Sequence, residues 1–216
     1  MNLLKKLLVG VSLISASVFA NAGLISVNDT SVNVLELGAT EFSSFYKLGD
    51  GNQYSANTGL ELPNQMVIFI AQKGNGEFGI FNIFSGLSGV KGNLDVTATG
   101  SQGFVSFLDD NTESDLKFKW DWGRSDGLIF SGIFGDSWTV NFDYTNSKGI
   151  RGLSVYTFDD SGNASLAFIS AGSPKSVNIT SSIPRIASAT SVNAPTATFM
   201  FLLSIAFIIM QLRAKS

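Results

Sequence analysis

The sequence has no cysteine, no histidine and only four prolines in 216 residues. Without cysteine there is no disulfide stapling, so the fold must rest on its own apolar core. Without histidine as well, Ser-His-Asp and Cys-His catalysis are excluded, and so are thiolate and imidazole metal ligation. Charge is sparse at 14% of residues, and no long stretch carries an amphipathic helical repeat. What charge there is leans acidic. Residues 23–191 hold all seventeen acids but only ten of the fourteen bases, a net of −7. Such a surface lacks the positive footprint that nucleic acid or anionic lipid requires, so no nucleic-acid partner is expected.

What is present reads as all-β. Leu116 to Trp122 alternates Leu116, Phe118, Trp120 and Trp122 against Lys117, Lys119 and Asp121. Trp138 to Tyr144 does the same with Trp138, Val140, Phe142 and Tyr144. That period of two marks sheets with one packed and one solvated face. Further strands are predicted over 31–37, 42–47, 66–71, 78–84, 94–99, 104–108, 128–134, 153–158, 164–170 and 176–180. Turn clusters at 49–52, 73–76, 126–127 and 159–163 separate them. Short strands so spaced predict a single β-sandwich, jelly-roll-like, over residues 23–180. The glycine-rich stretch from Gly74 to Gly103 is expected to form weaker strands, with bulges or a solvent-exposed edge.

Three chemistries remain open in that body. A hydrolase needs only two carboxylates, and Asp121, Asp126, Asp136 and Asp143 lie near the aromatic strands. Asp121 and Asp143, however, alternate onto polar faces, while Asp126 and Asp136 fall in turn contexts. The expectation is therefore a protein that is not an enzyme. Calcium favours hard oxygen donors, and the run from Asp109 to Asp115 offers Asp109, Asn111 and Asp115; the run from Asp159 to Asn163 is similar. Neither has EF-hand spacing, and solvated acidic turns are the commoner explanation of such runs. No cofactor is expected other than calcium at such a site. Sugar binding would use exposed rings, with Trp120, Trp122, Trp138 and Tyr144 as the material; their clean alternation favours a core instead.

The two ends carry targeting patterns. Lys5 and Lys6 precede an apolar stretch from Leu7 to Phe19, and Ala20-Asn21-Ala22 forms a small-x-small site before Gly23. This is the layout of a cleaved signal peptide over 1–22, of the bacterial Sec type. From Ser181 to Ser191 the composition turns to Ser, Thr, Ala and Ile, as in a stalk. Next come Val192-Asn193-Ala194-Pro195, an uncharged apolar run from Ala197 to Met210, and a basic tail with Arg213 and Lys215. Taken from Ala194 to Leu212, about 19 helical residues span ~28 Å, enough for a thin bilayer.

Turn motif, single hydrophobic helix and basic terminus, in that order over 192–216, resemble the PEP-CTERM sorting signal. Asn193-Ala194-Pro195 stands where the usual motif reads Pro-Glu-Pro, and Arg213 and Lys215 replace an arginine cluster. The resemblance implies processing by an exosortase-type transpeptidase after transient membrane anchoring. It also implies export across the inner membrane to the cell surface or an extracellular matrix, with exopolysaccharide as a partner. The role expected from it is structural or adhesive. The alternative is a carbohydrate-binding β-sandwich held by an uncleaved C-terminal membrane anchor.

Overall fold

The computed structural model describes residues 24–47, 56–85, 90–109, 116–120 and 124–182. They form thirteen strands and one short helix: β1 (Leu24–Val27), β2 (Thr30–Val32), β3 (Leu35–Gly38), α1 (Phe42–Tyr46), β4 (Gln65–Lys73), β5 (Phe78–Ser85), β6 (Gly92–Gly100), β7 (Phe104–Leu108), β8 (Lys117–Trp120), β9 (Ser125–Ile133), β10 (Trp138–Lys148), β11 (Gly152–Phe158), β12 (Ala164–Ala171) and β13 (Ser176–Ser182). The all-β expectation holds. One sheet has six strands in the order β2-β1-β13-β10-β6-β8, all antiparallel. The other has the order β12-β11-β4-β5-β9-β7, with β3 as a further neighbour of β4. Both β11 and β3 run parallel to β4. These parallel pairings depart from the expected jelly roll, which is antiparallel throughout.

Side-chain alternation places one core between the sheets. In β10, Trp138, Val140, Phe142 and Tyr144 are buried, while Thr139 and Asp143 face out. In β8, Phe118 and Trp120 are buried and Lys117 and Lys119 exposed. Against them the second sheet sets Met66, Ile68, Ile80, Phe84, Leu128, Phe130, Leu153 and Val155 in the same apolar cluster. Rings meet across the gap: Phe84 lies 5.1 Å from Phe118, and Phe130 meets Phe142 edge-on at 6.0 Å. Asn82 of β5 donates to the Tyr144 hydroxyl at 2.6 Å, a polar link between the sheets inside this core.

The central strands of the second sheet do not alternate. β4 reads Met-Val-Ile-Phe-Ile-Ala without a break, and β5 is buried from Gly79 to Ser85. Continuous apolar strands are strands covered on both faces. The outer face carries Val67, Phe69, Ala71, Phe81, Ile83 and Ile129, and α1 lies on it through Phe42 and Tyr46. The stretch 42–47 is therefore a helical turn rather than the predicted strand; Phe42 and Tyr46 are four residues apart, which puts them on one helix face. Gly79 of β5 makes the seat, since a Cβ there would stand 2.9 Å from the Phe42 ring. Lys73 fixes the start of the helix, pairing with Glu41 at 3.0 Å and Glu77 at 2.7 Å and lying 4.9 Å from the Phe42 ring centre.

Other sequence expectations need correction. The glycine-rich β5 is no edge but a central strand between β4 and β9, with the bulge falling between Phe78 and Ile80. Asp126-Gly127 is not a turn; both residues lie within β9. The predicted strand 31–37 is broken at Asn33 and Val34 into β2 and β3, and β13 runs to Ser182, into the predicted stalk. Leu24–Val27 forms a strand that the sequence reading passed over. Among the described residues no helix is long and apolar enough to cross a membrane. The predicted leader with Ala20, Ala22 and Gly23, the segment Val192–Pro195 and the tail residues Arg213 and Lys215 lie outside the described residues.

Candidate functional site

Three of the four aromatic candidates lie away from the surface. Trp120, Trp138 and Tyr144 are at most 5% exposed and belong to the inter-sheet core. Their faces are occupied: Trp120 stacks near Phe84, Trp138 packs on Phe78, and Tyr144 stacks on Phe142. A sugar ring cannot reach them, because the alternation in β8 and β10 puts all three on the inward face of the six-stranded sheet. Trp122 lies outside the described residues.

The carboxylates scatter. Asp143 sits on the solvent face of β10 and accepts from the Asn141 amide at 3.0 Å. Asp126 is 3% exposed in β9, one oxygen accepting from the Gly127 N–H at 2.9 Å. Asp109 is no solvated turn residue either: it is 6% exposed and accepts from the Tyr46 hydroxyl at 2.9 Å. Gly127 permits that approach, since a Cβ there would stand 2.4 Å from the Asn82 carbonyl oxygen and 2.9 Å from the Tyr46 hydroxyl. Asp121, Asn111 and Asp115 lie outside the described residues. Among the described residues no group of three or more acidic side chains is placed to hold a metal ion. The second acidic run is a self-contained turn. Asp159 accepts from the Ser161 and Asn163 N–H groups at 2.9 and 2.8 Å and from the Asn163 amide at 2.8 Å. These bonds, the Asn163 amide first, hold its carboxyl below the usual range.

One concavity gathers residues that the sequence reading did not group. A cleft of about 490 Å³ is lined by Glu36 and Gln72 on one side, Asp136 on another, and the turn Asp159–Gly162. Ile25, Val32, Val34, Phe78 and Phe158 supply its apolar lining. Asn33 holds its wall by donating from its N–H to the Thr157 hydroxyl at 2.8 Å and from its amide to the Phe158 carbonyl at 3.2 Å. Four carboxylates and no lysine or arginine line this space. It therefore suits a ligand rich in hydrogen-bond donors or positive charge, and rejects phosphate or carboxylate groups. Of the sequence candidates, only Asp136 and the 159–163 turn contribute. Glu36, Gln72 and Asn33 carried no local signal, because sheet topology alone brings them to this rim.

The buried phenols give a pH signature. Burial, with the charges of Asp109 and Asp126 adding to it, pushes Tyr46 well above its ordinary 10.0. Burial also raises Tyr144, against the opposing hydrogen bond from Asn82. Below pH 10 both folded and unfolded chains hold these protons, so neither phenol makes stability depend on pH. Above it the unfolded chain ionises first, and each phenol removes about 1.4 kcal/mol of stability per further pH unit. Denaturant midpoints should accordingly fall steeply above pH 10. Phenolate absorbance from two of the four tyrosines should appear only as the fold is lost. Titration of all four together near pH 10 in a folded protein contradicts this. The chain matches no family model, no curated protein and no solved structure.

Proposed function

We propose that this chain is an exported structural or adhesive protein of the cell surface or extracellular matrix. On this reading, residues 1–22 are a signal peptide, the two sheets form a β-sandwich body, and 192–216 act as a sorting segment resembling PEP-CTERM. An exosortase-type transpeptidase is the implied processing partner, the membrane holds the chain in transit, and exopolysaccharide is the implied surrounding.

One observation carries the reading. β1 and β13 pair antiparallel with Leu24 opposite Ser182, so the first and last strands among the described residues lie side by side. β1 begins at Leu24, one residue after the predicted cleavage product starts at Gly23, and β13 ends at Ser182, within the predicted stalk. The chain's lack of cysteine leaves nothing to staple in an oxidising compartment. The carbohydrate-binding alternative is less favoured, since three of its four candidate rings, Trp120, Trp138 and Tyr144, lie in the core.

The test replaces Asn193-Ala194-Pro195 with three glycines in the expressed full chain. The variant is expected to accumulate uncleaved in the membrane fraction, while the unaltered chain passes to the surface or medium. Identical distribution of the two removes the sorting role of this motif.

A further inference from the structure

β12 ends the second sheet: β11 pairs with one of its edges, and among the described residues no strand pairs with the other. Exposed edges are usually blunted by charge or proline, because their free N–H and C=O groups template association. β12 reads Ala-Ser-Leu-Ala-Phe-Ile-Ser-Ala and has neither. It is also apolar on its solvent side. The register with β11 slips at Ala167: Phe168 pairs with Val155 of the inter-sheet core, while Leu166 pairs with Tyr156. That bulge leaves Leu166 and Ile169 on the same outer face, 44% and 61% exposed. Charge is confined to the strand's two ends. Asp159 and Asp160 precede it; Lys175 follows it, and Arg151 stands beside that exit, its carbonyl accepting from the Gly172 N–H at 2.7 Å.

We propose that β12 is a self-association edge, pairing antiparallel with β12 of a second copy of this chain and continuing the seven-stranded sheet across a two-fold axis. The strand is complementary to itself. A register that sets Leu166 opposite Ile169 of the second copy repeats the same contact by symmetry, and both pairs lie on one face. That same register brings the Asp160 end of one strand to the Lys175 end of the other. A parallel pairing would instead set acid against acid. Elsewhere the net acidic surfaces of two copies repel; along β12 there is no charge to oppose contact. A foreign strand would gain the backbone bonds but not these reciprocal contacts. The inference stands apart from the sorting reading, since nothing in it depends on residues 192–216.

The chain's lack of cysteine makes the test clean. Leu166→Cys and Ile169→Cys are prepared separately as the full chain in detergent, mixed and oxidised. Thr97→Cys serves as control, an exposed site on β6 of the other sheet. The mixture should yield the 166–169 cross-link several-fold above either homotypic product and above the control. In sedimentation, Leu166→Lys with Ile169→Lys should shift a concentration-dependent dimer to monomer, with a thermal midpoint equal to that of the unaltered chain at a dilution where it is monomeric. Cross-linking no greater than at residue 97, a dimer that survives the lysine pair, or a monomer at every concentration each overturns the proposal.

Discussion

Replacing Phe81 with alanine should destabilise the protein by about 3–5 kcal/mol, the range for emptying a buried aromatic site. Phe81 has no exposed surface and sits at the centre of the outer apolar cluster. Its ring stacks on Phe69 at 4.5 Å and meets Phe42 and Phe45 edge-on at 5.9 and 5.7 Å. Tyr46 lies over it at 6.5 Å. Four rings from α1 and β4 converge on this one side chain, so none can move in to fill the space without leaving another partner. A domain of ordinary stability, about 5–15 kcal/mol, would lose about a fifth of it or more. Phe104→Ala is the control: that ring is 63% exposed, and its loss should stay within about 0.5 kcal/mol. Urea midpoints of the two variants decide the point. Equal effects would mean that the outer face is not sealed as described.

Ile179→Asp should prevent folding, whereas Asn178→Asp should be nearly silent. β13 lies between β1 and β10, with Ile179 opposite Val27 on one side and Val140 on the other. All three are fully buried. A carboxylate there has no water and no cation, and burying such a group typically costs several kcal/mol beyond the lost apolar contact. Asn178, one residue earlier, points the opposite way into solvent. The pair therefore tests the face assignment of the strand that joins the body's two ends. Limited proteolysis is the measurement: Ile179→Asp should be cut throughout the body, Asn178→Asp no faster than the unaltered chain. A folded Ile179→Asp variant would contradict the closure of β13 against β1.

Much of the fold was legible because burial on one face writes a period of two into the sequence. Trp138 to Tyr144 is the plainest case, and the same alternation already placed Trp120 and Tyr144 among core residues. Burial on both faces erases that period. The run from Met66 to Ala71 could be read as a strand, yet nothing in it told that α1 would cover its outer side. The helix was missed for a related reason: five residues are too few for a helical repeat, and Phe42, Phe45 and Tyr46 suit a strand as well as a turn of helix. Asp126-Gly127 misled because the dipeptide is a turn signal. Here its glycine serves the close approach of the Tyr46 hydroxyl instead. The acidic cleft was not legible at all. Asn33 and Glu36, Gln72, Asp136, and Asp159 come from four separate stretches of the chain, and the parallel placement of β3 and β11 on β4 brings most of them together.

The most direct test of the central claim, that this is an exported body sorted through its C-terminal segment, is the intact mass of the mature protein from envelope and medium. The account predicts a species that begins at Gly23 and ends near Pro195, with or without a glycan-like adduct. A species running from Gly23 to Ser216 would contradict it, leaving a β-domain tethered by an uncleaved anchor.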